Sequence, residues 1–220
     1  MNSIKYACSL NNQGVDFLVS GQSARAIKAF QSAVSLLEQA VNDAERASCT
    51  GMNLLSQEAT QPFCESFSTV PGLQDLHCYV YDHGIIITDT SNGERDEMLA
   101  LYTAIVLFNL ALTTHRQGIL GSEKSLKKAS LLYSLAEKLL TRCRIPEDAS
   151  TTILTLLALN NKAQIHYDQC EYVQSVDCMK AILKIMGSVQ DLHSTLGHED
   201  LEGIILNVVL LNSPTAAQAA

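Results

Sequence analysis

Apolar positions along this chain recur at steps of three and four residues over most of its length, the spacing of one buried helical face. The first such run covers residues 4–19 and breaks at Gly21. A second opens at Ser23, a candidate N-cap, and continues through Ala26, Ile27, Phe30, Ala33, Val34, Leu37, Ala40 and Val41. The two runs are close enough to pack as an antiparallel hairpin with a short turn. Helical pattern returns at residue 95, runs to about 117, halts at Gly118, restarts after Gly121 with Ser122 as a cap, and extends to 143. Pro146 suits the first turn of a further helix reaching about 169, and helices over 171–186 and 199–211 follow. About seven helices result.

Two stretches break the rhythm. Residues 46–75 lose the period and collect Ser, Thr, Gln, Gly, Pro62 and Pro71, which reads as an irregular loop. Residues 77–88 then set β-branched and aromatic side chains on either side of Asp82, His83 and Gly84, predicting a small β-hairpin whose apolar side rests on the helices. The expected fold is therefore mainly α. It is a single domain over 1–220 built of antiparallel helix hairpins, with an irregular and β-hairpin insertion at about 46–94 and a frayed tail at 212–220.

Composition agrees with a packed chain: 47% of residues are apolar, 17% are charged and the mean hydropathy is +0.09. A core of that size needs neither disulfide nor metal. The net charge of -8 and pI near 5.2 argue against partners bound through their phosphates, so no nucleic acid and no anionic membrane is expected. Nearly all the excess lies in residues 44–98, where nine acidic side chains face two basic ones, the pattern of a solvated loop. The uncharged run 98–114 approaches membrane-spanning length, but it carries Asn109 and three Thr and reads as a core helix. Seven cysteines form an odd set without a CxxC pair, and neither a signal-peptide pattern nor an N-x-S/T acceptor occurs. A reducing compartment follows, cytoplasmic by default, with the nucleus also open to it.

Superposing the helix pairs reveals a repeated frame. Leu10, Gly14, Phe17, Ala26, Phe30 and Ala33 in the first pair correspond to Leu159, Ala163, His166, Ser175, Met179 and Ile182 in the last, where Tyr172 also falls in the frame. Leu107, Ala111, Ala129, Tyr133 and Ala136 form the middle copy, with six extra residues expected to lengthen its turn. Small residues let helices approach where they cross, and large ones fill the groove between pairs. This frame resembles the tetratricopeptide repeat over about 100 of the 220 residues, most closely in its first copy. The combination of degenerate repeats with an inserted hairpin is also similar to uncharacterised protein families of diatoms, a likeness that implies no activity.

The tetratricopeptide resemblance implies a concave groove lined by the first helix of each pair, which captures a peptide or protein tail. Carried onto this sequence, its inward positions are Asn11, Val15, Leu18, Phe108, Leu112, His115, Arg116, Asn160, Gln164, Tyr167 and Asp168. The partner-binding set is drawn from the polar members: Asn11, His115, Arg116, Asn160, Gln164, Tyr167 and Asp168. The co-chaperone form of the repeat would have Lys where Asn11 stands and Asn where Val15 stands, so a clamp for a chaperone's terminal carboxylate is not expected.

Motifs that carry chemistry are few. GxSxG, GxxxxGK[ST], GxGxxG and HExxH are all missing. His198 and Glu202 only approximate a zinc helix, and the acidic residues between them suit a helix start. Cys170, Cys178 and His166 read as helix packing rather than a metal cluster, with both cysteines as small buried hydrophobes. His77, Cys78, Asp82 and His83 read as turn composition, and Lys124, Lys127 and Lys128 as an exposed first turn. The expectation is a non-enzymatic interaction or scaffold module with no catalytic residue, cofactor or metal, binding a protein or peptide partner, and open to homo-oligomer formation through its apolar end faces. The competing reading is a small enzyme or ligand-binding protein with a pocket between the hairpin and the helices near His77, His83, His115 and His166.

Overall fold

In the computed structural model, residues 3–49, 66–67, 79–88, 96–141, 149–188 and 196–211 are described. The expected tail, residues 142–148, and most of the insertion, with Pro62, Pro71, His77 and Cys78, lie outside them. Seven helices are present among the described residues: α1 (Ser3–Val19), α2 (Ser23–Cys49), α3 (Asp96–Ile119), α4 (Glu123–Leu140), α5 (Ala149–Asp168), α6 (Tyr172–Ser188) and α7 (His198–Leu211). Each packs on the next in sequence from α1 to α6. In addition α1 touches α3, α3 touches α5, and α5 touches α7, so the odd-numbered helices share one side of the stack.

Steric fit explains the pairing. A Cβ on Gly14 would stand 2.5 Å from the Phe30 ring, so only glycine lets α1 approach α2 at that crossing. Ala26, Ala33, Ala111, Ala129, Ala136 and Ala163 are all fully buried, as close packing of neighbouring helices requires. At the third crossing Ser175 donates its hydroxyl to the Ala163 carbonyl at 3.0 Å. The helix Met98–Ile119 is long and apolar enough to cross a membrane, yet 89% of its most apolar window is buried in this protein.

The three pairs close with one turn. Three residues separate the helices in each, and the middle one has positive φ: Gly21 at 74°, Gly121 at 111° and Cys170 at 58°. Gln22 and Glu171 both donate their N–H groups back to a carbonyl five residues earlier, at 2.8 Å, as a Schellman closure does. Cys170 thus stands where glycine is favoured. It is exposed there, contrary to the buried packing role expected of it, whereas Cys178 is buried. The Ser122 hydroxyl caps α4 by accepting from the Ser125 N–H, but Gln22 rather than Ser23 precedes α2 and takes its first backbone bonds.

The six extra residues of the middle pair do not lengthen its turn. Eight residues separate Ala111 from the end of α3, against five from Gly14 to the end of α1 and from Ala163 to the end of α5. Three residues are added to each helix of the pair, nearly one helical turn, so the faces stay in register.

The expected β-hairpin is not formed. Residues 79–88 run as a single strand-like segment with no turn at Asp82–Gly84. Gly84–Ile85 (β2) bridges antiparallel to the two-residue piece Ser66–Phe67 (β1), Ser66 opposite Ile85 and Phe67 opposite Gly84. The segment lies along the odd-numbered helices with Tyr81, Ile85 and Ile87 inside the core. Helix α7 closes the end of the stack, leaving Ile205, Leu206, Val209 and Leu210 exposed.

Candidate functional site

The side of the stack formed by the odd-numbered helices holds residues 79–88 chiefly by their main chain. An asparagine from each of four helices pairs with both polar groups of one residue. On α1, Asn12 Oδ1 accepts from the Ile87 N–H at 2.9 Å and Nδ2 donates to its carbonyl at 2.8 Å. On α3, Asn109 does the same for Ile85 at 2.9 and 2.7 Å. On α5, Asn161 does so for Tyr81 at 2.9 and 2.8 Å. On α7, Asn207 does so for Tyr79, accepting at 2.8 Å and donating at 2.5 Å. A carboxamide used in this way imitates one residue of a neighbouring β-strand, offering an acceptor and a donor to the same partner.

Supporting amides hold these four in place. Asn11 accepts from Asn109 Nδ2 at 2.9 Å and donates to the Ile85 carbonyl at 3.0 Å. Asn160 accepts from Asn207 Nδ2 at 2.8 Å and donates to the Tyr79 carbonyl at 3.3 Å. Asn161 also donates to the Tyr133 hydroxyl at 3.1 Å. Asn11, Asn109, Asn160, Asn161 and Asn207 are fully buried, so each orients with its hydrogen-bonding capacity committed to a partner.

Side-chain recognition is concentrated between Tyr81 and Ile85, where the segment takes four residues to pass from α5 to α3. Elsewhere two residues separate successive clamped positions. The Tyr81 ring packs 6.0 Å from Phe108, which in turn lies 5.5 Å from Tyr133. Arg116 on α3 donates through Nη2 to the Asp82 carbonyl at 2.8 Å and to its carboxylate at 3.1 Å. His83 lies between two carboxylates, Nδ1 3.1 Å from Asp82 and Nε2 3.5 Å from Asp200 of α7. The bond to Asp200 raises the imidazole pKa above its ordinary value, against an opposing effect of burial. Tyr79 donates its hydroxyl to the same Asp200 carboxylate, and burial together with that bond raises the phenol's pKa. Two glycines make room: a Cβ on Gly84 would sit 2.9 Å from Val15, and one on Gly203 would strike the Tyr79 ring.

Of the seven expected partner-binding residues, Asn11, Arg116 and Asn160 touch the main chain of the segment. His115 does not line the groove: it is fully buried between α3 and α4, its ring 6.1 Å from Tyr133, and neither ring nitrogen has a hydrogen-bond partner among the described residues. Burial lowers its pKa to about 4. Gln164 donates to Asp168 at 2.8 Å within α5, and Tyr167 stacks edge-on against Tyr172 of α6, so these three engage their own helix pair. The open hollow implied by the groove is instead filled by this chain.

The histidines of the competing pocket have separate surroundings. His83 belongs to the segment, His115 to the core, and His166 places Nδ1 2.6 Å from Glu171 at the third turn. Among the described residues no group of three or more His, Cys, Asp or Glu side chains is placed to hold a metal ion. Cys178 is buried with its thiol pushed up to about 11, and Cys8 likewise to about 12.

The chain matches no family model, no curated protein and no solved structure. Sequence reasoning missed Asn12, Asn109, Asn161 and Asn207. A signal for three of them existed, since asparagine stands two residues before the small residue of every pair: Asn12 before Gly14, Asn109 before Ala111 and Asn161 before Ala163.

Proposed function

We propose that this protein is a non-enzymatic interaction module of tetratricopeptide-like helix pairs that grips extended polypeptide by its main chain, with residues 79–88 serving as an intramolecular occupant. The observation that carries this reading is the asparagine clamp: four carboxamides from successive inner helices each take both polar groups of one residue. Contacts of this kind depend on backbone position and little on sequence, as in recognition by strand addition. Any extended segment presents the same groups.

Energetics favour exchange over permanent closure. Thirteen hydrogen bonds to the helices at a net ~1 kcal/mol and three buried side chains at ~2 kcal/mol contribute about 19 kcal/mol, while ordering ten residues costs about 10–20 kcal/mol. The occupant is near balance, so a competing strand has access to its place.

The test is a selection of random decapeptides against the full chain carrying Ile85→Ala and Ile87→Ala, which weakens the occupant. Amide exchange of residues 79–88 is then followed on adding the selected peptides. The module reading expects those peptides to raise exchange at Tyr81 and at position 85. It is overturned if no peptide is enriched, or if enriched peptides leave that exchange unchanged.

A further inference from the structure

Resting on the reading that the groove takes polypeptide, we infer that its partner is an extended segment of another protein bearing an aromatic residue, an acidic residue, any residue, glycine and an aliphatic residue in that order. Tyr81-Asp82-His83-Gly84-Ile85 is the chain's own copy of this pattern and competes with it.

The asparagine clamp does not discriminate, because it touches only backbone N–H and C=O groups. Selectivity must come from the side chains the groove inspects, and these cluster in the long step from α5 to α3. The first is the aromatic position: Tyr81 is 1% exposed, against Phe108 and above the α3–α4 core. Next comes the acidic position, where Arg116 reaches the carboxylate at 3.1 Å and the carbonyl at 2.8 Å of the same residue. That double contact ties charge recognition to the register of the main chain, so a carboxylate one residue away would lose one of the two bonds. Two residues further, Val15 places Cγ1 and Cγ2 at 2.9 and 3.1 Å from where a Cβ would be, and Val15 is itself buried in α1. A side chain at this position displaces a packed valine. The aliphatic position follows at Ile85, whose backbone is held by Asn109 and Asn11.

Position 83 is the one left open. His83 leans toward Asp200 across the groove, a contact that favours a basic or hydrogen-bonding side chain without demanding it.

The experiment uses a fluorescent decapeptide with the sequence of residues 79–88 and the full chain with Ile85→Ala and Ile87→Ala, read by anisotropy. The template peptide is expected to bind. Peptides with lysine in place of the aspartate, or valine in place of the glycine, should each bind at least about tenfold more weakly. Arg116→Glu in the protein should reverse the first preference, restoring the lysine peptide and rejecting the template; misfolding cannot produce that reversal. If a scrambled peptide binds as tightly as the template does, the pattern is refuted while the module reading stands. If no peptide binds, both fall. If light scattering shows the full chain forming dimers and the free peptides do not bind, so that residues 79–88 exchange only between two copies of this chain, a separate partner protein is refuted.

Discussion

Replacing Asn109 with leucine is the sharpest probe of the clamp. The substitution keeps the volume roughly constant and removes one carboxamide that makes three hydrogen bonds in a fully buried place, to the Ile85 N–H, the Ile85 carbonyl and Asn11 Oδ1. The carbonyl keeps its bond from Asn11. The N–H loses its clamp partner, which costs about 1–3 kcal/mol, and the lost bond to Asn11 adds about 1 kcal/mol. Asn109→Leu should therefore destabilise by about 2–4 kcal/mol, a fall in Tm of roughly 4–16 °C for a chain of this size. Urea unfolding gives the energy, and hydrogen exchange by mass spectrometry gives the location. Protection should fall at residues 79–88 while the α1–α2 hairpin stays protected. A loss under about 0.5 kcal/mol, or unchanged exchange in 79–88, refutes the idea that this amide holds the segment. Asn109→Asp is a stricter companion: it retains an acceptor for Ile85 but sets a carboxylate opposite two oxygens, and should be at least as damaging at neutral pH.

Four other outcomes follow from single positions. Gly14→Ala drives a methyl into the buried Phe30 ring at 2.5 Å and should cost about 1–3 kcal/mol in chemical denaturation. Cys170→Gly relieves a left-handed backbone at φ 58° and should raise stability by about 0.5–1 kcal/mol, the reverse of what loss of a packed thiol would give. His115 is neutral when folded, its pKa depressed to about 4 from 6.5, so the unfolded chain takes up the proton first as pH falls. Its contribution is complete above pH 6.5 and about 3 kcal/mol is lost on descending to pH 4, so His115→Leu should flatten the pH dependence of unfolding by that amount. His83 behaves oppositely: its raised pKa makes its contribution complete below 6.5 and lost as pH rises through the folded value, and Asp200→Asn should lower that value in an NMR titration.

Much of the helical scaffold is legible in the sequence because its signals are local. Gly21 and Gly121 end helices where a left-handed residue is needed, Ser122 caps α4, and Gly14, Ala111 and Ala163 mark the crossings. The segment is not legible for a corresponding reason. Its aromatic and β-branched residues do favour extended backbone, but extended backbone ordinarily finds its partners in a second strand nearby. Here the main-chain partners are side chains 24 to 128 residues away in sequence, and nothing near Tyr79 or Ile85 announces them. Within its own helix Asn109 argues only against a membrane span. His115 lies away from the groove because periodicity gives a face but not the neighbour opposite that face, and α3 is enclosed on several sides.

An asparagine-lined groove also limits how the proposed module would work. Buried carboxamides without partners are costly, so the groove is either filled by a strand that satisfies them or opened to water. The intramolecular segment satisfies that demand, and under the proposed function an external partner would have to replace it rather than fill a vacancy. Its apparent affinity would then be the intrinsic affinity reduced by the fraction of chains whose groove is unoccupied. If docking of residues 79–88 is favourable by about 3 kcal/mol, that reduction is roughly 150-fold. Selectivity gains from the same arrangement. A strand that makes only the main-chain contacts loses to a tethered competitor that makes them too, whereas one that satisfies Arg116, Val15 and the Phe108 surface better than the chain's own copy can win.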